Sequence, residues 1–417
     1  RKKSASYYTP EVLTQCVVKY SLKELLKDKA ADEILKLTIC EPAMGSGAFI
    51  NEAVNQLADA YLERKQEEMG ERISADDYRY ERQKVKYYLA TNNAYGVDLN
   101  PTAVELAKVS LWLNIIYDGA EVPWFGPRLA VGNSLIGARR QVFTAEDVHS
   151  GEYKKKAPEP VQLGYGDENF APRPAGTVYH WLLPDEGMAA FDKDKVIKEL
   201  ASTEVQTIKD WRKEFTRKIT KAELKNLQVL SDQADSLWSA HLQERQMILA
   251  RTREEIGLWG QPKPKENKQP LSIDGKEKEL AYLERPTSPY RHLKLAMDYW
   301  CALWFWPIAE AENLPSRQVF WNELNEIFKG VESDFIKPPE QIKMWGNGTA
   351  TQVSMSGLTK PGIQDLISAF PRLGIVEKVS SQITFKHWGL VFIEAFEKSG
   401  GFDLILGNPP WIKLKWN

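Results

Sequence analysis

Cysteine is scarce in this 417-residue chain: Cys16, Cys40 and Cys301 are the only three. They lie too far apart for a zinc ligand pair and too few for a disulfide framework, so a reducing, cytoplasmic setting is expected and no metal site. Long apolar runs are also lacking. The longest, near Met297 to Ala309, is too short to span a bilayer and carries Asp298, so no membrane association is expected. No signal-like stretch opens the chain, which starts at Arg1 rather than Met and reads as trimmed at its N-terminus. A charge excess is missing too: the net charge is −2. That excludes a uniformly basic surface, so any nucleic-acid contact rests on locally clustered basic residues or on a part outside the chain. There is no internal repeat and no carboxylate–lysine cluster of the nuclease kind.

What is present is ordinary for a globular protein, with 43% hydrophobic and 27% charged residues. The length calls for at least two domains or one domain with a large insertion. Thr9-Pro10-Glu11 predicts a helix start, with Thr9 as N-cap and Pro10 at the first helical position. Leu37 to Cys40 reads as a short buried strand that ends in a glycine-bearing turn, Glu41-Pro42-Ala43-Met44-Gly45-Ser46-Gly47. A helix is expected from Ala48 to about Leu62, and residues 63–86, dense in both charges, read as a solvated helical excursion. Ala94 to Val97 is a second strand ending at Asp98, Pro101 opens a helix, and Arg128 to Val131 is a third strand delivering Asn133.

The alternation then stops. Residues 150–176 read as a linker or surface loop. Residues 191–256, almost free of Gly and Pro, carry Leu224, Leu227, Leu230, Ala234 and Leu237 at helical spacing and predict a solvated helical hairpin or arm. An aromatic-rich helix over 290–307 contributes Trp300, Trp304 and Trp306, expected as core; His387 is expected as a packed, hydrogen-bonded histidine. Gly401 to Gly407 reads as a buried strand feeding Asn408-Pro409-Pro410-Trp411.

In a parallel sheet, ligands bind at the carboxyl ends of the strands. The four strand ends carry Glu41 with the Gly45–Gly47 turn, Asp98, Asn133 and Asn408, so all four are expected around one crevice. Each has a plain alternative: a tight turn, a helix cap, a rigid double-proline turn with a packing Trp. The ordered set is what carries the inference.

That set resembles the S-adenosylmethionine (SAM) dependent N6-adenine DNA methyltransferases of the gamma arrangement, in which the SAM motifs precede the Asn-Pro-Pro-aromatic motif. Tyr7-Tyr8-Thr9-Pro10 resembles the N-terminal motif of that family. Glu41 to Phe49 resembles its glycine motif, and Tyr95-Gly96-Val97-Asp98-Leu99-Asn100-Pro101 its acidic second motif. The aromatic run from Tyr299 to Pro307, with His387-Trp388 and Gly400 to Asp403, is similar to the PglX methyltransferases of BREX phage-defence systems and to type IIG restriction-modification methyltransferases.

The resemblance implies an α/β fold: a Rossmann-like SAM-dependent methyltransferase core, its sheet partial, with a large, mainly helical insertion. The organisation expected is residues 1–140 for the SAM-binding half, 141–398 for the insertion and 399–417 for the catalytic strand and turn. It implies cofactor contacts from Tyr7, Thr9, Glu41, Pro42, Ala43, Gly45, Gly47, Phe49, Asp98, Leu99 and Asn133. Asn408 and Pro409 would accept the target amine's hydrogens, Pro410 would stiffen the turn, and Trp411 would stack on a base flipped from double-stranded DNA. Such sheets continue past this motif, so the chain reads as a fragment, inactive alone, whose DNA recognition lies beyond residue 417; defence-complex subunits are further expected partners. Methylation of RNA adenine or protein glutamine, or SAM binding without transfer, are the competing readings.

Two features depart from a compact unit. Glu41 and Asp98 stand 57 positions apart, where such a unit places its acidic residue roughly 20 beyond the glycines. The 275 positions between Asn133 and Asn408 require an inserted folded region rather than a loop.

Overall fold

The computed structural model describes residues 9–161, 172–191, 195–263, 271–331 and 362–409; Tyr7, Pro410 and Trp411 lie outside these. Helices α1 (Glu11–Leu25) and α2 (Ala31–Ile34) precede strand β1 (Ile39–Glu41). Helices α3 (Ala48–Met69) and α4 (Ala75–Asn92) lead to β2 (Ala94–Asp98), and α5 (Pro101–Ile115) leads to β3 (Leu129–Val131). A small sheet follows: β4 (Gln141–Thr144), α6 (Ala145–Ser150), β5 (Glu159–Pro160) and β6 (Thr177–Tyr179). The helical region holds α7 (Lys195–Leu200), α8 (Ser202–Phe215), α9 (Lys221–Thr252), α10 (Ile273–Ala281), α11 (Pro289–Ala302) and α12 (Arg317–Lys329). Helices α13 (Ile363–Ala369), α14 (Pro371–Ile383), α15 (Trp388–Val391) and α16 (Ile393–Ser399) bring the chain to β7 (Leu404–Ile405).

The main sheet has four parallel strands in the order β3-β2-β1-β7. Side chains alternate across it, as the strand pleat dictates. Ile39, Ala94 and Leu129 face a core built with α1, α3, α4 and α5. Cys40, Tyr95 and Val97 face Phe392 and Ala395 on the other side. Helices therefore cover both faces, which is what a parallel sheet requires. A second, larger core fills the helical region around Trp181, Trp238, Tyr299 and Trp306.

Several expectations are corrected. The residue preceding α1 is Pro10, whose carbonyl accepts from Leu13 and Thr14; Thr9 is not its cap. The charged excursion is two helices, α3 ending at left-handed Gly70 and α4 opening at Ser74, which accepts from the Asp77 amide. They are not simply solvated, because Lys65, Gln66, Val85 and Lys86 are buried. The supposed linker contains β5, which pairs with β4, itself paired to β6 in an antiparallel sheet. Among its described residues the 191–256 arm holds three helices, and α9 is packed rather than solvated: one face buries Leu227, Leu230, Trp238 and Ile248. The expected buried strand at 401–407 is a two-residue edge strand with Ile405 63% exposed.

Helix α9 fastens the helical region to the sheet. Arg245, buried, makes a two-pronged ion pair with buried Glu394 of α16 (3.0 Å on both prongs) and donates to the Pro127 carbonyl at 2.8 Å. Bidentate geometry and a third acceptor offset the desolvation of the guanidinium. Arg245→Ala leaves Glu394 as a buried lone charge and is expected to cost about 3–5 kcal/mol. The urea midpoint measures it; a change within experimental error contradicts the assignment.

One turn earlier, buried His241 holds the Leu390 carbonyl through Nε2 at 2.8 Å. Burial pushes this imidazole down to about 4. The unfolded chain therefore binds the proton more readily, so the neutral form's stabilisation is complete above pH 6.5 and is lost as pH falls towards 4. Between pH 7 and pH 5 the wild type should lose about 2 kcal/mol through this group. His241→Gln keeps a donor, does not titrate, and should show a correspondingly smaller drop in paired urea titrations.

Candidate active-site crevice

The crevice begins with strand register. The Thr38 amide and hydroxyl both donate to Asp403 Oδ2 (2.8 and 2.9 Å), and the Asp403 amide donates back to Thr38 Oγ1 (3.1 Å). Leu404 N–H then bonds the Thr38 carbonyl and Leu406 N–H the Cys40 carbonyl. This register carries Gly407 alongside Pro42 and Glu41, where a Cβ would stand 3.7–3.8 Å from their side chains. Asn408 is exposed beyond it, and its Nδ2 donates to Thr9 Oγ1 at 3.3 Å. The N-terminal motif and the Asn-Pro turn thus touch across 399 positions of sequence.

The glycine turn is built from both neighbouring strands. Met44 N–H bonds the Val97 carbonyl of β2 at 3.1 Å, and Gly47 N–H closes the turn on Met44 at 2.7 Å. Gly47 stands at φ +77°, in the left-handed region, and opens α3; Gly45 is at φ +53° with open space where a side chain would point. Gly96 in β2 serves a different need. A Cβ there would lie 2.4 Å from Met44 Sδ, so only glycine lets the turn rest on the strand.

Two carboxylates tie the turn down. Asp98 Oδ2 accepts from Gly45 N–H (2.9 Å) and Oδ1 from Asn100 N–H (2.8 Å). Each oxygen keeps a lone pair for another donor. Asn100, not Asp98, caps α5, through Thr102 N–H at 3.0 Å. Glu41 points inward: it is 2% exposed and its Oε2 accepts from Ile50 N–H at 3.1 Å. Burial raises its carboxyl well above the usual range, the Ile50 and Phe49 amides pull it back, and the nearby Asp98 charge raises it further. Glu41 thereby anchors the first turn of α3 from below. Phe49 is buried beside it, whereas Pro42 and Ala43 are half-buried and Leu99 is exposed.

At the third strand end, Asn133 Oδ1 accepts from Leu135 N–H (3.1 Å), and its own N–H donates to the Thr384 carbonyl (2.8 Å). The 384–388 segment thus borders the crevice, although no strand-end pattern in the sequence points to it. The signal present in the sequence was His387-Trp388, a polar-aromatic pair in a helical region. Two cavities, of about 420 and 820 Å³, lie along the seam between sheet and helices, the smaller touching Ala130 and Lys386 and the larger Thr38 and Asp403. Among the described residues no three His, Cys, Asp or Glu side chains converge as a metal site, and no helix is long and apolar enough to cross a membrane.

No family model matches the chain. It is similar to a Methanocaldococcus jannaschii protein described as "Putative type II restriction enzyme and methyltransferase", 30% identical over 188 aligned positions. That alignment covers 33% of this chain and 15% of the relative.

Because Met44 and Gly96 occupy one contact, Gly96→Val should displace the glycine turn and destabilise the protein by about 1–3 kcal/mol. Met44→Ala added to it should recover part of the loss. Strict additivity of the two substitutions in thermal denaturation would show that the contact is not the cause.

Proposed function

We propose that this chain forms the cofactor-binding and catalytic face of a SAM-dependent methyltransferase of restriction-modification type, with a Rossmann-like core. The observation that supports it most is the strand order β3-β2-β1-β7. The chain winds outward from β1 to β3 and returns on β1's other side, so a switch point falls between β1 and β7, where open α/β sheets bind ligands. The glycine turn, Asp98, Asn133 and Asn408 all sit at the carboxyl ends around it. Similarity to a protein described as a restriction enzyme and methyltransferase points the same way.

The residues fit the cofactor. Asp98 keeps acceptor capacity at both oxygens for a ribose diol while its backbone bonds hold it in place. Gly45 leaves open space over the turn for the methionine end, and exposed Leu99 offers an apolar surface beside Asp98. SAM, when bound, supplies an electrophilic methyl group on a sulfonium.

We assign the substrate as the N6 amine of an adenine flipped from double-stranded DNA, in phage defence. Asn408 and Pro409 supply two acceptors for the amine's two N–H groups, which favours a more pyramidal and more nucleophilic nitrogen. The Thr9 hydroxyl takes an Asn408 Nδ2 hydrogen, which holds the side-chain amide beside the N-terminal motif. Alignment of the reacting groups supplies much of the rate. Pro410 and Trp411 complete the turn in this reading.

Two substitutions in the full-length protein separate binding from chemistry. Asp98→Ala should abolish SAM binding by calorimetry. Asn408→Ala should keep SAM binding and lose transfer of labelled methyl to DNA. Full transfer by Asn408→Ala would overturn the mechanism, and label on RNA or protein instead of DNA would overturn the substrate.

A further inference from the structure

His387 and Trp388 take no part in the chemistry above, yet their polar atoms are bonded to the Asn133 loop. The loop from Asn133 to Ala138 is joined to residues 384–388 by four hydrogen bonds. Asn133 N–H donates to the Thr384 carbonyl and Lys386 N–H to the Ile136 carbonyl, both at 2.8 Å. Ala138 N–H donates to His387 Nδ1 at 2.9 Å, and Trp388 Nε1–H to the Ser134 carbonyl at 3.0 Å. The contact is backbone on backbone at Gly137, where a Cβ would stand 1.9 Å from the Lys386 carbonyl.

Each member of the pair also reaches elsewhere. Since Nδ1 of His387 accepts, its proton sits on Nε2, which donates to Asp298 Oδ1 at 2.9 Å. Asp298 of α11 is held in turn by the Ser380 hydroxyl (2.8 Å) and by Lys294. The imidazole is thus fixed at both nitrogens, and it is 1% exposed. The Trp388 ring packs against Phe392 and Phe402, with centroids 5.7 and 5.8 Å away. Phe402 immediately precedes Asp403, which sets the register of β7. One dipeptide therefore touches both the loop after β3 and the approach to the Asn408 turn.

We propose that His387 and Trp388 are positioning residues: the helical region uses them to set the Asn133 loop of the cofactor pocket relative to the Asn408 turn. This rests on the reading of the crevice as a SAM site. It makes the helical region a working part of that pocket rather than an appendage. The two contacts of Trp388 separate cleanly, because Phe at this position keeps the ring packing on Phe402 and loses only the hydrogen bond to Ser134.

The test uses the full-length protein, with SAM affinity read by calorimetry and turnover read as methyl transfer to DNA. Trp388→Phe should raise the Kd and KM for SAM roughly tenfold, the value of one lost hydrogen bond, and leave kcat within about twofold. Trp388→Leu, which also abandons Phe402, should lower kcat as well. His387→Leu should weaken SAM binding, and His387→Gln, which presents an acceptor and a donor, should restore part of it. Melting curves of the SAM-free variants confirm that folded protein is compared. If His387→Leu does not fold, Trp388→Phe carries the test alone. A wild type that binds SAM while Trp388→Phe binds it equally well overturns this inference alone. A wild type that binds no SAM, or an Asp98→Ala variant that binds it normally, overturns the functional reading and this inference with it.

Discussion

The arrangement depends on one parallel pairing, β7 against β1. Parallel neighbours need a crossover, and here the crossover takes up most of these 417 residues. The helical region must therefore return its exit close to its entry. It does so through fixed points: Arg245 to Glu394 and Pro127, His241 to Leu390, and His387 to Ala138. Once these hold, the Thr38–Asp403 exchange selects the register, and Asn408 arrives beside Thr9. Displacing the strand by one residue would reverse its two faces, bringing Ile405 inward and taking Leu404 out of its core.

Charge is used inward as much as outward. The acidic and basic residues nearly cancel, and several pairs have one partner buried: Glu223 with buried Arg317, buried Glu244 with Arg285, buried Glu323 with Arg372. Such pairs contribute modest net stability but penalise any alternative packing that would separate them. They join elements distant in sequence, so they act as address labels in a region where apolar side chains alone would tolerate several arrangements. The Asp298 network follows the same logic, with Lys294, Ser380 and His387 drawn from α11, α14 and the segment before α15.

The parts legible in the sequence are those whose geometry is local. A strand, a glycine turn and a helix occupy consecutive residues, so β1, β2 and β3 and the residues at their ends could be placed from pattern alone. Asp98 was legible as a strand-end acceptor, but not its bonds to Gly45 and Asn100. Thr9 read as a helix cap because Thr-Pro-Glu satisfies the local rule; its partner Asn408 is 399 positions away. Helix α9 read as solvated because charges are interleaved with its leucines, and nothing local tells that Glu244 and Arg245 are buried beside partners on other elements. The β4-β5-β6 sheet was missed because its strands are two to four residues long and separated by turn-rich chain.

The same β1–β7 pairing has a consequence in time. During synthesis β1 emerges well before its partner, which follows only after the 362 residues between Glu41 and Leu404. At roughly 5–20 residues per second that interval is on the order of 20–70 s. Throughout it, one edge of β1 is an open row of backbone donors and acceptors, the kind of surface that templates unwanted association. Closing the sheet is a late, long-range step, so the yield of correctly assembled protein should be governed by how well this edge is shielded before its partner strand is made.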